Sequence, residues 1–138
     1  NFFQEWKEGS WEAQEMTANL FEALSRKPLK VVLKDWGKEV WFANDEKNNY
    51  CGKILEVRKG EGFKMHFHII KCETFYIISG KLRVVLIDTT DRSLHTGTLN
   101  QGDCLDLERF VPHAVEALED CVIIEASTFH RDSDSFRI

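Results

Sequence analysis

The sequence predicts an all-β fold, an antiparallel sandwich or barrel, with one N-terminal α-helix. Three observations carry this. From Leu29 onward, short runs rich in β-branched and aromatic residues follow one another, with turn residues between them and no helical stretch. Ahead of them lies a single segment with helical spacing. Two histidines, His66 and His68, stand two apart inside one of the β-rich runs, and residues i and i+2 of a strand point to the same face.

The helix is read over Ser10 to Arg26. Ser10 can cap it, and Ala13, Met16, Leu20 and Leu24 fall at helical spacing. Glu12 and Glu15 sit in the first turns and Arg26 and Lys27 at the end, as the helix dipole prefers, and Pro28 terminates it. Residues 1–28 are thus a helical extension and 29–138 the β domain. The helix is expected to pack on the outside of that domain or on a partner subunit.

The strands are expected at Lys30–Leu33, Val40–Ala43, Cys51–Arg58, Lys64–Ile69, Glu73–Ser79, Leu82–Asp88, His95–Leu99, Cys104–Leu107, His113–Ala117 and Cys121–Thr128. Turn residues separate most of them, for example Asn44 to Asn49, Lys59 to Gly62, Asn100 to Gly102 and the Glu119–Asp120 pair.

A chain of 138 residues supports one domain with a substantial core. With 43% hydrophobic and 30% charged residues it is globular rather than disordered. A formal charge of −5 and the lack of a Lys/Arg run argue against a nucleic-acid surface. No apolar stretch approaches the length of a membrane span, and no signal peptide opens the chain. It begins with Asn1 rather than Met, so a short preceding piece is expected. Cys51, Cys72, Cys104 and Cys121 are widely spaced within apolar runs and form no Cys-x-x-Cys pair. They read as buried or half-buried free thiols of a cytoplasmic protein.

The chemistry centres on His66 and His68. A turn over Ile69 to Cys72 lets the next strand bring Glu73 back beside them, and two imidazoles with a carboxylate form a nitrogen/oxygen metal site. Downstream, Gly102 turns the chain into a strand, and Pro112 fixes the backbone just before His113.

These two segments resemble the paired motifs of the cupin superfamily. The first runs Gly60, five residues, His66, one residue, His68, four residues, Glu73, six residues, Gly80, and matches at every position. The second carries the expected Pro112–His113, but Phe110 stands where that family often has glycine. The resemblance implies a cupin-type double-stranded β-helix, a jelly-roll barrel, holding one divalent metal ion (Mn, Zn or Fe). Its ligands would be His66, His68, Glu73 and His113, leaving positions open for water or substrate. His95 and His130 match no ligand position, and His95 reads as a surface residue.

Strand alternation suggests what else shares the cavity. Lys53, Leu55 and Val57 would face inward, although Lys53 also fits a strand-edge residue whose ammonium reaches water. Glu73, Phe75 and Ile77 would share the inner face, with Thr74 and Tyr76 outward. Glu125 lies in the apolar run from Cys121 to Ala126. Facing inward it is a candidate base or hydroxyl acceptor, and facing outward it is an ordinary solvated residue.

The ends of the chain, with Trp36–Gly37 early and an Asp-rich tail closing on Phe136–Arg137, are similar to those of sugar-handling cupins. The phosphomannose isomerase domain and D-lyxose isomerases are the groups meant. His66 stands where the first usually has Gln, whereas the second uses a His-x-His, Glu, His set. The resemblance implies a small-molecule ligand, a sugar or sugar phosphate, and a homodimer. Three functions are then weighed. The first is an aldose–ketose isomerase working through an enediolate, with Glu125 as the base, Lys53 and Phe75 against the substrate, and Arg137 on a phosphate or ring hydroxyls. The others are an Fe(II)-dependent oxygenase and a non-catalytic sugar-binding or sensor domain.

Overall fold

The computed structural model describes residues 19–138. Residues 19–24 are helical (α1) and are followed by eleven strands. These are β1 (Lys30–Lys34), β2 (Gly37–Asp45), β3 (Tyr50–Val57), β4 (His66–Phe67), β5 (Glu73–Ser79), β6 (Lys81–Ile87), β7 (Leu94–Asn100), β8 (Cys104–Leu107), β9 (His113–Ala117), β10 (Cys121–Ser127) and β11 (Phe136–Arg137). Two antiparallel sheets result, in the orders β1-β2-β3-β10-β5-β8 and β11-β4-β9-β6-β7. This is the expected jelly-roll barrel. All ten anticipated strands are present, and β11 is an addition.

Period-two alternation sets which side chains enter the barrel. On β10, Cys121, Ile123 and Glu125 are buried while Ala126 is exposed. On β5, Glu73, Phe75 and Ile77 are buried and Tyr76 and Ile78 face out. On β3, Lys53, Leu55 and Val57 turn inward. Register then sorts chemistry from core along the barrel axis. Ile123 faces Leu55 and Ile77, whereas Glu125 faces Lys53 and Phe75, and Ser127 faces Glu73. On the opposite sheet Leu82 pairs with Ala117, Val84 with Val115, and Leu86 with His113. An apolar plug of Leu55, Val57, Ile77, Leu82, Val115 and Ile123 therefore fills one end, and the polar residues collect at the other.

Several local readings change. The helix expected from Ser10 lies mostly outside the described residues, and Leu20, Phe21 and Leu24 of α1 are exposed rather than packed on the barrel. The strand expected over Lys64–Ile69 shrinks to His66–Phe67, because the chain bends around Asp134. The buried Asp134 carboxylate accepts hydrogen bonds from the amides of Ile69 (2.9 Å), Ile70 (3.0 Å) and Lys71 (3.0 Å). Cys51 and Cys121 are buried and Cys72 half-buried, but Cys104 is exposed, since on β8 the alternate residues Leu105 and Leu107 turn inward. All four are free thiols. No helix among the described residues is long and apolar enough to cross a membrane.

Phe110 occupies the position where glycine was expected and keeps the backbone a glycine would adopt, with φ +70°. Its amide donates to the His68 carbonyl at 2.7 Å, tying this turn to the strand that carries the first histidines. A β-carbon in the left-handed region costs about 1–2 kcal/mol, and the Phe110 ring is 55% exposed. Phe110→Gly is therefore expected to raise stability by about 1 kcal/mol in urea unfolding. A clear loss would show that the exposed ring contributes more than the strain costs.

Asp134 provides a second test. Burial alone would raise its carboxyl pKa, but the amides of Ile70, Ile69 and Lys71 outweigh it and hold the group below the ordinary range. A depressed folded-state pKa contributes stability that is complete above the unfolded value, about pH 4, and is lost as pH falls through the folded value. Asp134→Ala should cost about 2–3 kcal/mol at neutral pH, the worth of hydrogen bonds to a charged acceptor. The difference from the parent should narrow in acid, and a penalty constant from pH 7 to pH 2 would remove the carboxylate from this role.

Candidate metal centre

His66 and His113 are cross-strand partners on β4 and β9, and His68 follows just beyond the end of β4. Their rings converge, with centroids 4.4 Å apart for His66 and His113 and 5.1 Å for His66 and His68. One donor atom from each histidine lies within 4.8 Å of those of the other two. The backbone fixes how each ring presents itself. Nδ1 of His66 lies 2.8 Å from the Lys64 carbonyl, Nδ1 of His68 2.7 Å from the Asp134 carbonyl, and Nδ1 of His113 3.0 Å from the Val111 carbonyl. A carbonyl only accepts, so each Nδ1 carries the proton and each Nε2 is left to bind a metal.

Charge favours the same state. Burial, and then the neighbouring His113, push the His66 pKa down to about 4, which keeps this imidazole in its neutral, ligating form near pH 7. Glu73 stands slightly apart. Its Oε1 is 3.4 Å from His113 Nε2 and its Oε2 is 3.8 Å from His68 Nε2, but it does not join the mutual cluster of three. Among the described residues, His113 Nε2 is buried without a hydrogen-bond partner, as is Glu73 Oε2 apart from its ion pair with Lys71. An imidazole lone pair facing a carboxylate oxygen needs a cation or a proton between them, and metal binding displaces that proton. The donor set and its orphaned atoms therefore fit a divalent ion held by His66, His68 and His113, with Glu73 beside them.

Glu73 turns toward a residue that the sequence did not single out. Lys71, only 3% exposed, places Nζ 3.0 Å from Glu73 Oε2, out of line for a hydrogen bond, and 2.8 Å from Glu125 Oε2. Burial alone would lower the Lys71 pKa, but Glu125 and Glu73 outweigh it and hold the ammonium well above the ordinary lysine range. Burial likewise works against ionised Glu73, yet His113 and Lys71 hold its carboxyl well below the usual carboxylate range. Glu125 is buried and faces the cavity, which resolves the choice left open by the sequence. Its Oε2 is occupied by Lys71 and by the Ser127 hydroxyl at 3.2 Å, whereas Oε1 carries no hydrogen bond among the described residues.

Lys53 also faces inward, against the strand-edge alternative. Its Nζ lies 3.9 Å over the Trp41 ring, 3.9 Å from Glu39 Oε1 and 3.1 Å from His130 Nδ1. Burial lowers its pKa. His130, which matched no ligand position, serves as an acceptor here. Its Nδ1 also lies 3.3 Å from Lys71 Nζ, and its Nε2 is 2.9 Å from Asp132. Burial and the two lysines push its pKa down to about 4. Phe75 is buried beside His113, and Arg137 on β11 pairs with His66, so the end of the tail runs along the β4 edge of the sheet and Arg137 lines the cavity. Together these residues enclose a cavity of about 430 Å³. His95 is exposed, as expected. Lys71, His130 and Asp134 went unrecognised; the only sequence signal was a lysine flanked by Ile70 and Cys72 rather than by polar residues.

The family model for cupins matches residues 40–135, well over half of the chain. The chain is a cupin. Among solved structures, this cupin is similar to KdgF from a Halomonas species, with 18% identity and a TM-score of 0.64 over 75% of this chain and 91% of that one. It is also similar to the capsular polysaccharide assembling protein CapF from Staphylococcus aureus, with 19% identity and a TM-score of 0.70 over 85% of this chain and 33% of that one. Oxalate decarboxylase from Bacillus subtilis gives 18% identity and a TM-score of 0.67 over 79% of this chain and 30% of that one. This cupin thus spans about a third of the last two proteins, and at such identities the likeness is one of fold. No curated protein sequence matches it.

If the three histidines hold the ion, His66→Ala and His113→Ala should each weaken metal affinity by at least about 100-fold, more than loss of an outer partner does. Lys53→Met, which removes no ligand, should keep the metal. Elemental analysis of the purified variants reads this directly, and unchanged metal content in both histidine variants would overturn the assignment.

Proposed function

We propose that this cupin is a metal-dependent aldose–ketose isomerase acting on a sugar or sugar phosphate. The observation that carries the reading is Glu125: a buried carboxylate that lines the same cavity as His66 and His68, with one oxygen held by Lys71 and the other without a hydrogen bond among the described residues. That arrangement suits a base that must remove and return a carbon-bound proton at a fixed place. The charged side chains among the cavity's lining residues also suit a ligand with many hydroxyls, and one of the similar structures is named for capsular polysaccharide assembly.

His66, His68, His113 and Glu73 would hold one divalent ion, Mn, Zn or Fe. That ion would supply Lewis-acid stabilisation of negative charge on the substrate's carbonyl and adjacent hydroxyl oxygens. Glu125 Oε1 takes the proton from C2 of the aldose and returns it to C1, while the O2 hydroxyl proton passes to O1, so that the C=O bond moves from C1 to C2 with no net change in atoms. Lys71 fixes the carboxylate for both transfers. Lys53 has ammonium protons left to donate to O1, and Phe75 forms an apolar wall behind the sugar. The exposed Val31 and Leu33 of β1 support the expected homodimer.

Protein loaded with each of the three metals should exchange solvent deuterium into C2 of one member of a pentose, hexose and sugar phosphate panel. Glu125→Gln should lower that rate by about 10²–10⁴-fold with metal content unchanged. Oxygen uptake by iron-loaded protein would identify an oxygenase instead. Ligand-induced thermal stabilisation that persists in Glu125→Gln, with no exchange in the parent, would identify a binding domain.

A further inference from the structure

The whole chain carries a formal charge of −5, yet its cavity is lined by six cationic side chains against four carboxylates. The carboxylates are largely engaged. Glu73 and Glu125 share Lys71, Glu39 accepts from the Trp41 indole at 2.9 Å, and Asp132 at the rim lies against His130. Four of the cations, Lys30, Lys34, Lys64 and Arg137, have no carboxylate within ion-pair distance among the described residues. A cation-rich opening on an acidic protein attracts anions selectively, because the walls focus the local field against the overall one.

The fold places these four on two sides of one mouth. On β1, Lys30, Val32 and Lys34 line the cavity while Val31 and Leu33 point away. Lys30 is steadied with its Nζ 4.1 Å over the Trp41 ring, which also carries the buried Lys53. On the other side, Lys64 precedes β4, and Arg137 is the β11 partner of His66. The stacking of Phe136 on Phe67, with centroids 5.4 Å apart, fixes β11 so that Arg137 turns to the cavity. A lone exposed lysine is usually only a solvated surface group. Four without carboxylates, directed into a cavity whose interior cation Lys53 is 2% exposed, form a graded cationic path.

We propose that the substrate is anionic, with its phosphate or carboxylate group held at the mouth by Lys30, Lys34, Lys64 and Arg137. Its hydroxyl-bearing end then points inward to the histidines and Glu125. The inference rests on the cavity being the substrate site of the isomerase reading, and it narrows that reading to sugar phosphates or acidic sugars. Arginine presents a planar fork to either group, while the lysines act as movable point charges, so the geometry favours an oxyanion over a neutral hydroxyl.

Trp36 and Trp41 line the cavity, so binding can be followed by their fluorescence without turnover. The metal-loaded protein would be titrated with glucose, glucuronate and glucose 6-phosphate. At least one of the two anions should bind about ten-fold or more tightly than glucose, and the preference should shrink as salt is raised. Tighter binding of glucose 6-phosphate would identify phosphate as the group held, and tighter binding of glucuronate would identify carboxylate. Arg137→Gln, and separately the Lys34→Gln/Lys64→Gln double variant, alter exposed side chains and should leave folding and metal content intact. Each should erase most of the preference for the anion over glucose. Equal binding of all three ligands, or a preference unaffected in both variants, overturns the proposal. Anion-selective binding without deuterium exchange in any panel sugar would instead sink the isomerase reading and leave the anion site standing.

Discussion

The buried ion cluster of Glu73, Lys71 and Glu125 is the constraint on which the site depends. Two carboxylates close on a single ammonium, at 3.0 and 2.8 Å, with every member less than a tenth exposed. Such burial is costly unless each charge finds partners, and removing one member would leave another uncompensated. The cluster is possible because β5 and β10 pair with Ser127 opposite Glu73, so the two acids enter from adjacent strands. Lys71 closes it from a loop rather than from a strand. One negative charge remains in excess, and it faces three histidines whose free nitrogens point inward. A divalent cation would complete that balance, which would account for three histidines and a surplus carboxylate collecting at one end of an otherwise apolar barrel.

Lys71 reaches this place through residues far along the chain. The loop from Ile69 to Lys71 wraps the Asp134 carboxylate, and the Asp134 carbonyl in turn holds His68. One tail residue therefore sets both the position of the ammonium and the orientation of a candidate metal ligand. The adjoining His130 accepts from Lys71 and Lys53 at a single nitrogen, keeping two like charges near each other without direct contact. The tail thus belongs to the site, and β11 anchors it beside His66.

This organisation explains what could be read from the sequence. His66, His68, Glu73 and His113 are legible because they sit in or next to strands, where spacing translates directly into direction, and because their intervals match a known pattern. The inward faces of β3, β5 and β10 follow from the same alternation. Lys71 lies in a four-residue turn, which has no period to betray burial, and its partners are decided by a tail residue more than sixty positions away. Asp134 reads as one of several acids in a polar tail. Glu125 was ambiguous because a carboxylate in an apolar run is equally compatible with either face until its cation is known. Phe110 shows the opposite limit: the residue departs from the pattern while the backbone does not.

The cavity lining changes in charge from its interior to its exposed rim. Inside, the histidines and Glu73 offer donor atoms to a cation, and Lys71 lies between Glu73 and Glu125. At the rim, Lys30, Lys34, Lys64 and Arg137 have no carboxylate within ion-pair distance among the described residues. A neutral ligand would have no reason to choose one orientation along this gradient. An oxyanion would, because entering head-first would place it against Glu73 and Glu125, whereas entering last leaves it among the cations. The same gradient that draws a ligand in therefore also fixes which of its ends meets Glu125, and orientation of that kind is what a single-base proton transfer requires.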